Sequence, residues 1–459
     1  MSLWTSTDIA GATGGTASAD FAVSGIAFDS REVGAGDLFI AMSGENDDGH
    51  RFVDNAFARG AAGAIVSQPV AHPHVLVADA AAALNALGVA SRARLDSSGR
   101  GARVTGVTGS VGKTGTKEAL AAALSRVPDT KVHRSVKSYN NHTGVPLSLA
   151  RMPVDTDYAV FEMGMNHAGE IAALTRLARP HVAVITAIAP AHIEFFADEA
   201  AIADAKGEIF GGLESGGTAI IPFDSAHRER LIGHARGYAA NILTFGSGEG
   251  ADVRAHQAVA TSRGTLVTAT LPGAELCFTV GQHGAHWVSN ALAVIAAVHA
   301  LGGDLAVAGL ALADLEDLSG RGARYTVRAG DGTALVIDES YNANAVSMAA
   351  TLNMLGREAA TRRIAVLGEM GELGAASEAL HHGLAEPLIA ANVDFALLVG
   401  PAMAPLARAL EGKVEMRHVA DAAAAAEQIG SIIAPGDAVL VKGSNYVGMS
   451  VVVAVLRNA

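Results

Sequence analysis

Between positions 104 and 117 the chain reads VTGVTGSVGKTGTK. An apolar run enters a glycine-rich turn, and Gly112, Lys113 and Thr114 open what reads as a helix. Successive backbone N–H groups in such a turn, backed by a helix N-terminus, suit phosphate oxygens. Gly109, Ser110 and Gly112 would form the cradle. Lys113 offers a point charge for terminal phosphates, and the Thr114 hydroxyl suits Mg2+. The spacing departs from G-x-x-x-x-G-K-[ST], because position 107 is Val107 and glycines stand at 106 and 109 instead. The plain alternative is a glycine turn followed by a chance Lys-Thr, and the strand before and helix after argue against it.

A bound Mg2+ needs oxygen ligands. Glu162 ends an apolar strand within 160–164 (VFEMG) and so falls at its carboxyl end, where open α/β sheets bind ligands. Its plain alternative is a strand-end charge facing solvent. His192 follows the run 182–187 and falls at the same rim; a lone histidine there is as readily a hydrogen-bonded loop residue. Lys206, in 205–210 (AKGEIF), reads from spacing alone as a surface lysine paired with Glu208 or Asp204.

The elements that must position these groups come in three blocks. Before residue 96, strands at 37–42, 64–67 and 75–77 alternate with helices at 52–59 and 80–94. The Ser/Gly-rich segment 96–101 reads as a boundary. The second block holds buried strands at 104–108, 159–163 and 182–186, with helices from about 116, at 170–178 and at 200–213. Segments at 253–259, 266–270 and 276–280 read as antiparallel, and 289–301 as a helix. The third block alternates strands at 335–338, 364–367, 395–399 and 438–441 with helices, including 422–426. The fold class is therefore α/β in three domains: a small α/β unit at 1–100, a central mononucleotide-binding parallel sheet at 101–318, and a Rossmann-like unit at 319–459.

Composition bounds the function. The 459 residues exceed one ordinary core, and half are hydrophobic. The lone Cys277 excludes an internal disulfide and a cysteine zinc cluster. A net charge of -13 argues against nucleic acid as a partner. No apolar run reaches membrane-span length and no secretory leader is legible, so a cytoplasmic protein is expected.

Taken in order, these residues carry a family resemblance over nearly the whole chain. Residues 108–114 (TGSVGKT), 161–171 (FEMGMNHAGEI), 185–194 (ITAIAPAHIE) and 284–292 (GAHWVSNAL) are similar to the central motifs of the Mur ligases of bacterial cell-wall synthesis. Residues 338–348 (DESYNANAVSM) resemble the type that adds D-alanyl-D-alanine. The stretches 28–31 (FDSR), 36–39 (GDLF), 48–50 (DGH), 442–444 and 448–449 resemble its first and last domains.

The resemblance implies a UDP-sugar domain, an ATP domain and a dipeptide domain that close on one another. It implies an ATP-dependent ligase that joins D-alanyl-D-alanine to UDP-MurNAc-tripeptide through an acyl phosphate, acting as a monomer with ATP and Mg2+. It assigns Thr114, Glu162, His192 and Lys206 to the metal ions, with Lys206 as a carbamate. Lys113, Lys206, His192 and Arg321 become catalytic. His286, Asn290, Asp338, Tyr341, Asn342 and Asn344 join the phosphate loop and Arg321 at the nucleotide. Ser30 and Arg31 would hold the uridine diphosphate, and Asn141 and Gly144 the sugar side; apart from the resemblance, Glu369, Lys442 and Ser444 are dipeptide candidates because they lie at strand ends in the third block. Three departures stand out: Gly115 for a second Thr, Ala345 for a Pro, and Pro222-Phe223-Asp224 for Asn-x-Asp. Competing expectations are the Mur ligase for the third-position residue, folylpolyglutamate synthase, a P-loop switch or kinase, and a non-catalytic scaffold.

Overall fold

The computed structural model describes residues 2–44, 48–190, 193–282, 284–315 and 318–458. Three α/β sheets follow one another along the chain. The first has five strands in the order Thr16–Ala17, His74–Leu76, Gly63–Val66, Asp37–Ile40 and Gly25–Ala27, parallel except at the first pairing. Its inner face (Ile26, Leu38, Ile40, Ile65) packs on the helices Ser6–Thr13 and Ala80–Ser97. Leu147 and Ala150 of the helix Gly144–Ala150 enter the same core, so the first and second sheets share buried surface.

The central sheet has nine strands. Arg103–Thr108 lies between Val182–Ile185 and Tyr158–Glu162, all parallel. Side chains alternate across it as strand geometry demands. Val107, Val160, Val184 and Ile220 join the helices Lys113–Ser125 and Ala285–Ala300 on one face. Phe161, Ile185, Ala219 and Ile221 meet Ile171, Ile202 and Leu231 on the other. Burial on both faces explains the unbroken apolar runs of these strands. The far edge is the predicted antiparallel group, Val253–Thr261, Gly264–Leu271 and Ala274–Val280, although Val253–Thr261 also pairs parallel with Asn241–Gly246.

The third sheet orders Ala323–Ala329, Gly332–Glu339, Ala438–Lys442, Arg363–Gly368, Phe395–Val399 and Glu415–Val419, with only the first pair antiparallel. Among the described residues no helix is long and apolar enough to cross a membrane.

Two helix starts differ from expectation, and both matter for chemistry. The helix after the phosphate turn begins at Lys113, not near 116, because Gly112 takes a left-handed φ of 84° and the helix starts on it without a side-chain cap. The helix expected from 289 begins at Ala285 instead, which brings His286 and Asn290 into its first turns.

Two histidines brace the central sheet in neutral form. His181 Nδ1 accepts the Val104 N–H at 3.0 Å, and His133 Nε2 meets the Ser148 carbonyl at 2.7 Å. Burial pulls each pKa from 6.5 to about 4. The unfolded chain therefore binds protons near pH 6.5 that the folded chain refuses until about pH 4. Stability is predicted to fall as pH drops through that window. Denaturant melts at pH 7.0 and 5.0 check this, and His133→Gln is expected to lose less stability over the interval than the parent chain.

Candidate active site

The strand Arg103–Thr108 delivers the turn at Gly109 to the carboxyl edge of the central sheet, at the position where strand order reverses. Two glycines are obligatory there. A Cβ on Gly109, at φ 151°, would lie 2.0 Å from Thr186 Oγ1, and one on Gly112 would lie 2.5 Å from Asn290 Oδ1. The turn is braced from behind. The Ser110 N–H donates to Ala187 O at 2.8 Å, its hydroxyl donates to Ala189 O at 2.8 Å, and that hydroxyl accepts the Ala189 N–H at 3.0 Å. Ser110 therefore spends its polar groups on holding the loop.

At the helix start the Thr114 hydroxyl donates to Glu162 Oε2 at 2.7 Å, and Asn140 Nδ2 donates to Oε1 at 2.8 Å. Glu162 is 1% exposed, which excludes the solvent-facing alternative. Hydroxyl and carboxylate side by side at a phosphate loop fit a hard cation that keeps most of its ligands from phosphate and water. Lys113 is half-buried and folded back, its Nζ donating to Gly109 O at 2.7 Å. Burial lowers its pKa, Glu162 opposes that shift, and Arg321 adds to it.

Lys206 corrects the reading from spacing. It is 1% exposed and pairs with neither proposed carboxylate: Asp204 holds Arg230 and His234, while Glu208 accepts the N–H groups of Gly169 and Ala172. The polar contact of its Nζ is the Met165 sulfur at 3.4 Å. Burial, then the neighbouring Lys113 charge, push its pKa well down. His192 lies outside the described residues.

The third sheet reaches this centre through Arg321. Its guanidinium lies over the Tyr341 ring at 4.1 Å, and Nη2 donates to Ser138 Oγ at 3.4 Å, an oxygen itself 3.4 Å from Thr114 Oγ1. Asp338, 2% exposed, serves the turn that carries Arg321, accepting from Gly320 N at 2.8 Å and from the Ser340 hydroxyl at 2.6 Å. Asn342 Oδ1 accepts from Ala343 N at 2.9 Å. Asn344 caps the helix Ala345–Gly356 in a reciprocal box with Ser347, which fixes the turn where Pro is missing.

Most of the remaining candidates have partners of their own. Glu369 accepts from Ala402 N and Tyr446 OH at 2.6 and 2.8 Å. Ser444 Oγ accepts from Gly371 N at 2.8 Å. Lys442 Nζ donates to Glu339 and to Asn342 O at 3.2 and 3.0 Å. His286, exposed, opens the helix Ala285–Ala300. Ser30 is buried, and Arg31 is exposed and bound to Asp29. Asn141 Oδ1 accepts from Gly144 N at 2.9 Å, and Gly144 sits so close to Tyr139 that a Cβ would fall 2.5 Å from its carbonyl carbon.

Of the departures, Gly115 is explained by Trp287, whose ring edge would lie 2.9 Å from any Cβ there. Asp224 holds the N–H groups of Ser247 and Gly248 at 2.8 and 2.9 Å. Sequence reasoning missed Lys117, Ser138 and Asn140. Lys117, one helical turn beyond Lys113, carried a signal in its spacing.

Three family models match this chain. The Mur ligase middle domain covers residues 107–298, the Mur ligase glutamate ligase domain 323–445, and the Mur ligase family catalytic domain 22–133. The UDP-N-acetylmuramoyl-tripeptide–D-alanyl-D-alanine ligase of Escherichia coli (strain K12) is 36% identical over 446 residues, spanning 96% of this chain and 95% of that relative. The ligase of the same name from Bacillus subtilis (strain 168) is 36% identical over 78% of this chain and 76% of its own length. A crystal structure of MurF from Acinetobacter baumannii superimposes with a TM-score of 0.85 at 31% identity, covering 99% of both chains. The MurF ligase of Thermotoga maritima in complex with ADP gives 0.77 at 28% identity, covering 95% of this chain and 97% of that one. The chain therefore belongs to the Mur ligase family, with UDP-N-acetylmuramoyl-tripeptide–D-alanyl-D-alanine ligases as relatives along almost its entire length.

Proposed function

We propose that the chain is an ATP-dependent ligase joining D-alanyl-D-alanine to UDP-MurNAc-tripeptide, with UDP-MurNAc-pentapeptide, ADP and phosphate as products of a cytoplasmic, monomeric enzyme. The observation that carries the reading is the buried Thr114–Glu162 pair beside Lys113 at a braced phosphate loop. The names of the relatives support the substrates, and the ADP-bound neighbour supports the nucleotide. In this reading residues 1–100 hold the UDP-sugar, 101–318 the ATP, and 319–459 the dipeptide.

Thr114 and Glu162 would hold Mg2+, with His192 and Lys206 as further contributors. The ion's chemistry is to screen the charge of the phosphates. Lys113 would leave the Gly109 carbonyl for the terminal phosphate, and Arg321, held over Tyr341, would meet it from the third sheet. The acceptor's terminal carboxylate takes the γ-phosphoryl group, forming a C–O–P linkage as ADP leaves. The dipeptide amine then attacks the carbonyl carbon, loses a proton, and phosphate departs with the bridging oxygen. Water would hydrolyse the acyl phosphate, so the three units must exclude it before transfer.

Lys206 fits this site poorly as a cation, because its charge would be buried beside Lys113. A neutral amine there can add to carbon dioxide, forming an N–C bond and releasing one proton. The carbamate is an anion, which turns the repulsion from Lys113 into attraction. Incubation with 13C-bicarbonate is expected to give one carbamate carbonyl resonance that Lys206→Arg lacks. A spectrum identical for both proteins would remove the carbamate.

Two assays test the function. ADP release is expected only when UDP-MurNAc-tripeptide and D-alanyl-D-alanine are both present, with mass spectrometry finding the pentapeptide; equal release without the amine would defeat the ligase reading. Lys113→Ala is expected to lower kcat by about a hundredfold or more while the melting temperature stays within a few degrees.

A further inference from the structure

Among the described residues, Lys117 is a buried charge that the mechanism above leaves without a task. Lys117 is 0% exposed, on the helix that starts at Lys113. Its Nζ donates to Ser135 O at 2.8 Å and Lys137 O at 2.7 Å, with Glu118 at 3.0 Å and Glu162 at 3.9 Å. A buried ammonium is costly unless its partners are exact, so the segment it grips is held tightly. That segment is strained: Lys137 stands at φ 54°, a left-handed backbone unusual for a residue with a Cβ.

From this anchored kink consecutive side chains leave in different directions. Lys137 Nζ reaches Glu32 Oε1 at 2.5 Å, and Tyr139 OH donates to Glu32 Oε2 at 2.9 Å, both on the first sheet's side. Ser138 Oγ stands between Thr114 Oγ1 and the Arg321 guanidinium. Asn140 Nδ2 donates to Glu162. Glu32 directly follows Ser30 and Arg31, the residues assigned to the uridine diphosphate. One four-residue stretch thus touches the acceptor side, the metal carboxylate, the phosphate-loop hydroxyl and the arginine of the third sheet.

We infer that Lys117 is a positioning residue for the ligation. Its ammonium fixes residues 135–140 as a strut through which binding of the UDP-sugar acceptor and binding of ATP strengthen one another. The inference rests on the proposed ligase function. Free energy gained by ordering the segment 29–33 around a diphosphate passes through Glu32 to Lys137 and Tyr139, and so to Ser138 and Asn140 at the nucleotide. Linkage makes the effect reciprocal.

The test is calorimetric titration of the full chain with Mg2+ and a non-hydrolysable ATP analogue, with and without UDP-MurNAc-tripeptide. The parent protein is expected to bind the analogue about fivefold or more tightly when the acceptor is present. Lys117→Met and Lys137→Ala are each expected to bring that ratio towards one. In steady state Lys117→Met should raise KM for ATP and lower kcat, with Lys117→Arg recovering part of both. If Lys117→Met does not fold, Lys137→Ala and Glu32→Gln decide alone, since both alter surface side chains. An acceptor effect that is absent in the parent, or unchanged in Lys137→Ala and Glu32→Gln, overturns the inference and leaves the ligase standing if pentapeptide still forms. Absence of pentapeptide from the parent protein overturns the ligase reading itself.

Discussion

A carboxylate with almost no access to water is the constraint around which this molecule is arranged. Glu162 is 1% exposed and accepts from Thr114 and Asn140. An anion in that position is tolerable only if cations and donors are built around it. They are: Lys117 lies 3.9 Å away, Lys113 contributes charge, and the helix N-terminus opened by Gly112 adds its dipole. The pieces come from three chain segments and are held in register by the parallel pairing of Tyr158–Glu162 with Arg103–Thr108. Break that pairing and neither the hydroxyl nor the carboxylate has a fixed place.

The three sheets divide the work according to what each can supply. A parallel sheet buried on both faces offers chemistry only at its rim, and the central rim carries the phosphate loop. The first sheet is welded to the second through Leu147 and Ala150, and through Arg151 Nε donating to Ile26 O at 2.6 Å. The third meets the centre through polar contacts, among them Arg321 to Ser138 and the Glu194 N–H to Glu372 O at 3.3 Å. The first junction is cored by fully buried side chains, whereas the third rests on these polar contacts and on Ile193, partly buried against both cores; closure between the second and third units would suit a reaction that must admit substrates and then exclude water.

Much of this was legible in the residues. Strands buried on both faces announce themselves as apolar runs, so 159–163 and 395–399 lie within a residue of Tyr158–Glu162 and Phe395–Val399. The phosphate loop was legible because its glycines are demanded by local backbone and close contact. What stayed hidden depends on contacts distant in sequence. The burial of Lys206 comes from packing around Met165, 41 positions away, and nothing in AKGEIF distinguishes it from a surface lysine. Edge strands such as Val132–Arg134 and Glu415–Val419 carry polar side chains and show no apolar period. Ser138 and Asn140 lie in an irregular segment whose shape is imposed by Lys117, a residue on another element. Asp338 and Asn344, expected at the nucleotide from the resemblance, also use their oxygens to shape the backbone that presents Arg321 and starts a helix.

The central claim is that a carboxylate oxygen of the acceptor attacks the terminal phosphorus beside Thr114 and Glu162. Synthesis of UDP-MurNAc-tripeptide with 18O in its terminal carboxylate tests this directly. After turnover with ATP and D-alanyl-D-alanine, the released phosphate should carry one 18O for each peptide bond formed from fully labelled acid. Phosphate free of 18O, accompanied by pentapeptide, would contradict the account.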